Sequence, residues 1–325
     1  MTPGPGRTAD DDSVLARLDR FQRAHAWAGF PHAVIRKYFD DDGPRHAALI
    51  TYYGFLSLFP LLLLGVAVIS RLLATDPELR HNLITAIVPP ALQSTVDDAA
   101  AALPTSPAAF VIGAVGLLYS ATGVVYAAYR TVNHVAGVRM RDLPTPVGAY
   151  LRVVGVVLLL LAGVVAGGSL TVAGAALPGL GVPDRLLAAL GTGFSAFAVL
   201  LLGVRILLLR RAPYSALWRA AASAALLLAL VLHVGAPLLT ALVRKAGPVY
   251  GAFATVAGLF ALLYLVSQAL VLVAEAAAVR QARLWPRALD WADPTEADER
   301  ALALLAREQE RIAGQVVESR VIRGA

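Results

Sequence analysis

Residues 153–177 read VVGVVLLLLAGVVAGGSLTVAGAAL and contain no charged side chain. At 1.5 Å per residue, a helix of this length measures roughly 37 Å, enough to cross a hydrocarbon core of about 30 Å with some tilt. Over such a length in lipid, only a helix satisfies its own backbone hydrogen bonds within one segment. The stretch therefore predicts a helix that spans a membrane.

Five further apolar blocks of similar length predict five more spans. They cover residues 47–70, 108–129, 186–209, 220–243 and 249–279. Hydrophobic residues make up 58% of the 325-residue chain and charged residues 15%, against about 45–50% and about 25% in globular proteins. Blocks of this kind cannot all face one water-excluded core. We therefore expect an all-α, polytopic membrane bundle of six transmembrane helices.

Basic residues indicate how this bundle is oriented. Residues 1–46, 130–152, 205–219 and 280–325 hold 23 of the 28 Lys and Arg side chains, and the alternate segments hold five. The positive-inside rule then places the N-terminus and the C-terminus in the cytoplasm. The Lys and Arg side chains cluster between the apolar blocks, which fits membrane lipids as partners better than nucleic acid. No nucleic-acid partner is therefore expected.

The flanking segments complete a three-part organisation. Residues 1–46 are predicted to form cytoplasmic or interfacial helices, because Val14, Leu18 and Phe21 recur at helical spacing among arginines. Pro31 is expected to end the first of these helices. Residues 47–279 form the transmembrane domain. Its outer-face segment, 71–107, contains five prolines and is expected to form two short helical pieces.

Residues 280–325 form a predicted cytoplasmic tail with an amphipathic helix. The apolar stripe there has a heptad-like spacing and consists of Leu302, Leu305, Ile312 and Val316. Two interpretations stay open, a short self-associating helix or a solvated helix that rests on the bundle. A homo-oligomer is therefore left open as well.

Ionisable side chains inside spans are candidate functional groups, because burying an unpaired charge is costly. Glu275 lies near the predicted inner end of the last span. It is either an interfacial carboxylate paired with an arginine of residues 130–152 or 205–219, or a substrate or proton site. The spans carry no second acidic residue in support of proton coupling.

Pro60 lies in the middle of the first span, where it removes a backbone donor and predicts a kink. Tyr52, Tyr53 and Ser57 precede it, so an exposed carbonyl group and several hydroxyl groups are expected to converge there. In a transporter such a break binds or gates a substrate. In a packed bundle it is only a bend.

Two further features bear on transport. Residues 247–251, GPVYG, open the last span and predict close helix approach, a hinge or, most simply, a turn. Residues 57–66 resemble residues 195–204, as an inverted repeat of three helices would require, which is a pattern of many transporters.

Missing motifs argue against an enzyme. The chain has no cysteine, no GxxxxGK[ST] phosphate loop, no HExxH zinc motif and no GxSxG nucleophile motif. Its six histidines do not have a metal-ligand spacing. We therefore expect no catalytic residues, no metal and no cofactor.

The chain resembles the YihY/BrkB family of bacterial inner-membrane proteins over roughly residues 35–280. The resemblance rests on FDDD at 39–42 followed by AALITYYGFLSLFP at 47–60, on TVNHVAGV at 131–138, and on Tyr250-Gly251, Tyr264 and Ala274-Glu275 in the last span. It implies six membrane helices and a location in the bacterial plasma membrane. The family once carried the label ribonuclease BN, now regarded as mistaken, and the missing metal ligands also argue against ribonuclease activity. Some members are suspected of moving envelope lipids, but the family has no agreed substrate.

The leading hypothesis is a transporter or flippase-like protein for a lipid or another amphiphile. The residues expected to serve a shared cavity or transport path are Tyr52, Tyr53, Ser57, Pro60, Asn133, Tyr250, Gly251 and Glu275. The alternative is an envelope scaffold or assembly protein that transports nothing. In that case the same side chains are hydrogen-bonding contacts between helices, and deleting residues 294–325 should cost function, whereas a transporter could tolerate the loss.

Overall fold

The structure is a computed structural model that describes residues 14–72, 93, 107–176, 182–210, 212–289 and 293–321. Within these ranges the regular elements are helical, with no strand. The α-helices are α1 (Val14–Ala24), α2 (Ala26–Asp40), α3 (Gly43–Leu72), α4 (Pro107–Val135), α5 (Pro146–Ala176), α6 (Val182–Leu207), α7 (Tyr214–Ala282) and α8 (Glu296–Glu308). The all-α prediction is confirmed.

Six helical stretches in the described residues are long and apolar enough to cross a membrane, which confirms the predicted number. They are Gly43–Leu63, Val111–Val135, Pro146–Val164, Leu190–Leu207, Tyr214–Lys245 and Phe253–Ala282. Each overlaps one of the apolar blocks of the sequence. The predicted outer-face helices at 71–107 fall almost entirely outside the described residues.

Helix α7 contains two spans and folds back between them. A Cβ atom added to Gly235 would overlap Leu262 Cδ1. In a straight helix, residues so far apart in sequence would be separated by about 40 Å, so two antiparallel arms are required. We call these arms α7a (Tyr214–Lys245) and α7b (Phe253–Ala282). Residues 247–251, where the simplest prediction was a turn, lie between the arms and have helical backbone.

Glycines let α3 and α4 approach closely. A Cβ atom on Gly123 of α4 would lie 2.8 Å from Tyr53 Cγ of α3, and one on Gly116 would lie 3.1 Å from Pro60 Cγ. Both rings therefore pack directly against the backbone of α4. Small residues at such contacts are the usual means of tight helix packing in membranes.

Both ends of the described chain lie at one end of the bundle. We call α1, α2, residues 283–289, residues 293–295 and α8 the terminal layer. Arg23 of α1 donates to Asp293 Oδ2 at 2.9 Å, and the Leu289 backbone N–H donates to Asp19 Oδ1 at 2.8 Å. An even number of spans requires this arrangement. That the terminal layer faces the cytoplasm stays a prediction.

The expectation that Pro31 ends the first helix is wrong. The first helix ends at Ala24, and His25 is the N-cap of α2, which contains Pro31. Pro31 is the sixth residue of α2, so it removes a hydrogen bond near the helix start, where few intrahelical bonds are formed. His25 Nδ1 lies 2.9 Å from the Phe21 carbonyl oxygen, so the break at His25 is bridged locally.

The heptad-like stripe of the tail does not form one continuous helix. Helix α8 ends at Glu308, and Ile312 beyond it is 68% exposed. The chain turns away because Glu310 is held by Arg139 at 3.3 Å and by Arg141 at 3.2 Å. Helix α8 itself packs against α2 and α7b, which corresponds to the helix resting on the bundle.

The contact of Gly123 with Tyr53 predicts that Gly123→Ala destabilises the bundle by about 1–3 kcal/mol, because the added methyl group overpacks the site. Gly155→Ala is the matched control, since no atom of the described residues lies within 4 Å of a Cβ atom there. The two variants should be compared by unfolding in mixed detergent micelles. Equal midpoints for both variants would contradict this packing.

Candidate functional site

Glu275 forms an ion pair with a residue that sequence reasoning did not identify. Its side chain is fully buried on α7b, and its Oε2 accepts a hydrogen bond of 2.9 Å from Lys37 Nζ of α2. The interpretation that Glu275 pairs with an arginine of residues 130–152 or 205–219 is therefore corrected. The reason is that α2 packs against α7b and brings Lys37, the only lysine in residues 1–46, beneath the last span.

Lys37 is shared by two carboxylates. Its ammonium group donates to Glu275 Oε2, to the Val135 carbonyl oxygen at 3.1 Å, and to Asp41 Oδ2 one helical turn away. Since an ammonium group has three donors, its hydrogen-bonding capacity is filled. Burial alone would lower the pKa of Lys37, but the charges of Glu275 and Asp41 raise it above its ordinary value.

Asp41 carries the network to α4 and α8. Burial raises the pKa of Asp41, and Lys37 offsets only part of this rise. The Asp41 carbonyl oxygen lies 3.2 Å from His134 Nε2, and His134 Nδ1 contacts Glu308 Oε1 of α8. His46 lies beside His134, with 4.9 Å between the ring centroids. Five helices thus contribute to one ionic cluster.

A second buried ion group lies inside the terminal layer. Arg287 is fully buried, and its guanidinium donates to Asp298 Oδ1 and to Asp40 Oδ2, both at 2.8 Å. Burial alone would raise the pKa of Asp298. Hydrogen bonds from the Ala288 backbone, Arg287 and Thr295 instead hold that pKa below its ordinary value. Thr295 and Asp298 also form the capping box that starts α8.

A small cavity of about 20 Å³, lined by charged side chains of both ion groups and by apolar side chains, lies between the two groups. Its charged and titratable lining residues are Lys37, Asp40, Asp41, His134, Arg287 and Glu308. A space of this size holds about one water molecule. The two groups are therefore parts of one polar region beneath the bundle.

An apolar cavity of about 340 Å³ lies next to this polar region, between α4, α5, α6 and both arms of α7. Along α4 its lining runs from Val124 to Val135, which corresponds to roughly 16 Å. Its walls are mainly Val, Leu and Ala side chains. The polar and charged lining residues are Lys37, Thr131, Arg210 and Gln281, all near the terminal layer. Lys37 therefore lines both cavities.

The residues around Pro60 that were predicted to serve a shared cavity lie away from the apolar cavity. Tyr52 is 53% exposed on α3, Tyr53 packs on Gly123, and the Ser57 hydroxyl donates to the Gly54 carbonyl at 2.7 Å. Pro60 packs against α4 as described above. These side chains are not among those lining the apolar cavity. Their part in transport stays a prediction.

Asn133 joins α4 to the end of α6. Its amide group donates to the Leu207 carbonyl at 2.9 Å and to the Tyr129 carbonyl at 2.8 Å, and its Oδ1 accepts from the Leu209 N–H at 2.9 Å. Asn133 is 2% exposed. These contacts satisfy backbone groups that the end of α6 leaves unpaired. They give Asn133 a positioning role at the end of α6, where Leu207 lines the cavity.

Tyr250 and Gly251 lie in the helical backbone that joins α7a to α7b. Their side-chain surroundings are outside the described residues, so their predicted roles are left as they stand. In the described part of the chain, Glu275 is the one predicted residue that belongs to the ionic cluster, whereas Asn133 contacts the end of α6. No group of three or more metal-ligating side chains occurs among the described residues.

Sequence reasoning missed most of the cluster. Lys37 and Asp41 have the spacing of a helical ion pair, four residues apart, and this signal was available. The sequence did not indicate that Arg287 and Glu308 are buried, because arginine and glutamate in a polar tail are ordinarily solvated. Only the fold shows that both are buried.

These observations define a polytopic, all-helical membrane protein with a buried ionic cluster beneath an apolar cavity. The model of the family described as Virulence factor BrkB matches residues 34–297. The chain belongs to this family. The match includes Lys37, Asp41, His134 and Glu275, whereas Glu308 lies beyond it. No curated protein and no solved structure matches the chain.

Removing the Arg287 guanidinium should strongly destabilise the terminal layer. Arg287→Gln leaves Asp298 buried without its cation, and breaking a buried pair in this way costs about 3–5 kcal/mol. Arg300→Gln is the control, because the pair of Arg300 with Glu296 is exposed and is worth no more than about 1 kcal/mol. Unfolding monitored by tryptophan fluorescence distinguishes the two, and similar losses would contradict the assignment.

Proposed function

We propose that the protein moves a lipid or another amphiphile across the bacterial plasma membrane, without catalysing a chemical reaction. The observation that carries this proposal is the apolar cavity between α4, α5, α6 and α7. Its volume, about 340 Å³, falls within the range of about 300–1,000 Å³ for small-molecule sites. Membrane lipids are the ligands that such a cavity would meet first.

The distribution of polar groups in the cavity fits an amphiphile. Aliphatic walls favour an acyl chain, since burying apolar surface is favourable by about 25 cal/mol per Å². The charged lining residues, Lys37 and Arg210, lie together at the end near the terminal layer. An amphiphile would match this cavity with its headgroup at the charged end and its acyl chain between the aliphatic walls.

Arginines around this end favour an anionic headgroup. The described contacts of four of them are with carbonyl oxygens or an aromatic ring rather than with carboxylates. These contacts are Arg152 with Ile206 O, Arg219 with Ser215 O, Arg210 with Ala136 O, and Arg205 with the Tyr214 ring. Their charges are therefore not cancelled locally, and juxtamembrane arginines attract anionic lipid by about 1 kcal/mol each.

Helices α5 and α6 are in close contact at the end of the cavity that lies away from the terminal layer. A Cβ atom on Gly163 of α5 would overlap Val199 Cγ2 of α6, and Ser195 donates to the Gly163 carbonyl at 3.4 Å. Val199 is also the α6 lining residue farthest from the terminal layer. Passage of an amphiphile would therefore require α5 and α6 to separate at this contact.

The scaffold alternative needs a different test from the tail deletion. Deleting residues 294–325 removes Asp298, the partner of the fully buried Arg287. Loss of function after this deletion would follow from an unpaired buried charge under either proposal. Tail residues exposed on the surface, such as Ile312 and Val316, are better targets for detecting a scaffold partner.

Filling the cavity should block transport. Ala277→Trp places a large ring in the cavity wall, so we expect translocation to fall to the rate of protein-free vesicles. Vesicles of phosphatidylethanolamine and phosphatidylglycerol with a trace of fluorescent phosphatidylglycerol report translocation through quenching by dithionite. Leu158→Trp is the control, because Leu158 is 58% exposed on the lipid side of α5.

Two results would contradict the proposal. Folded wild-type protein that moves neither this lipid nor a fluorescent fatty acid would favour the scaffold. Wild-type rates in Ala277→Trp would show that the cavity is not the path. Circular dichroism and gel filtration of each variant establish that it is folded.

A further inference from the structure

The ionic cluster around Lys37 does not balance its charges. The Lys37 ammonium group is bound by two carboxylates, those of Asp41 and Glu275. Lys37 is 6% exposed, Asp41 4% and Glu275 0%. His134 and Glu308 form a pair of their own. With both carboxylates ionised, one negative charge remains buried without a counter-charge, and this is energetically costly.

The second carboxylate oxygen of Glu275 is a position at which a proton would supply the missing positive charge. Its Oε2 accepts from Lys37, whereas its Oε1 is buried and has no hydrogen-bond partner among the described residues. A proton on Oε1 would neutralise Glu275 without disturbing the contact between Oε2 and Lys37. A buried carboxylate oxygen without a partner is unusual, because nearly all buried polar atoms are hydrogen-bonded.

We infer that Glu275 is a proton-binding site, at which a proton adds to the carboxylate to give a neutral carboxylic acid and leaves again when the pH rises. The proton exchanges with solvent through the polar region of the terminal layer. The inference rests on the geometry of the cluster and does not depend on the proposed transport function. The sequence lacked a second acid within the spans. The structure supplies one, Asp41, from outside them.

Groups from every neighbouring element set the affinity of this site for its proton. They are Lys37, Tyr38 and Asp41 from α2 and its end, His46 from α3, His134 from α4, Tyr264 from α7b and Glu308 from α8. The positive charge of Lys37 favours the ionised carboxylate, and the negative charge of Asp41, bound to the same ammonium group, favours the protonated form. The second carboxylate and the burial of the site both favour the protonated form of Glu275, and they oppose the effect of the Lys37 charge.

Infrared difference spectroscopy of the purified full-length protein in lipid nanodiscs tests the inference. We expect the carbonyl-stretch band of a protonated carboxylic acid at a pH well above about 4.3, the ordinary pKa of glutamate. The band should shift in heavy water, titrate away as the pH rises, and be absent from Glu275→Gln. Asp142→Asn, at an exposed carboxylate, is the control and should leave the band unchanged.

Two further variants test the charge argument. Asp41→Asn removes the competing carboxylate, so the band should disappear at a lower pH than in the wild type. Lys37→Met removes the cation, so the band should persist to a higher pH if the variant folds. A band that survives in Glu275→Gln, or a folded wild type without a band across the pH range, would overturn the inference. The protein carries no transport substrate in this measurement, so failure of the transport proposal would leave the result unaffected.

Discussion

The contact of Lys37 with two carboxylates is the interaction on which the rest of the structure depends. It joins α2 to the last span through Glu275, and it joins α2 to α4 through the Val135 carbonyl oxygen. From Asp41 the same network reaches His134 and then α8. Two of the helices that enclose the apolar cavity, α4 and α7b, are thus fixed relative to the terminal layer by this cluster. The far half of the bundle relies on glycine-mediated packing instead.

These two halves are stabilised by different physics. Close packing in lipid gains dispersion energy and carries no desolvation penalty. A buried ion pair gains attraction but loses hydration, and is often no more stable than apolar residues of the same volume. The cluster is therefore a poor means of stabilisation, although it is sensitive to the loss of any member. Such an arrangement serves to position groups or to exchange charge, and the unpaired oxygen of Glu275 favours the second.

The sequence allowed prediction of the six spans, because apolar runs of this length leave few alternatives in lipid. It also allowed prediction of Glu275 as a candidate, because a carboxylate in a span is conspicuous. It did not allow prediction of the partner, since Lys37 lies 238 residues away and only the fold joins them. The break at His25, where Pro31 was expected to end the helix, was missed for a local reason. A proline near a helix start removes little hydrogen bonding.

The two cavities meet at Lys37, and this links the proposed passage of an amphiphile to the proton site. The three donors of Lys37 are already used, so an anionic headgroup can bind it only by displacing an acceptor. Glu275 is the acceptor that a proton weakens, because protonation removes its charge. Protonation would then favour headgroup binding, and by thermodynamic reciprocity headgroup binding would favour protonation by the same factor. A single lysine between two acids is sufficient to couple the two events, without a chain of acids through the membrane.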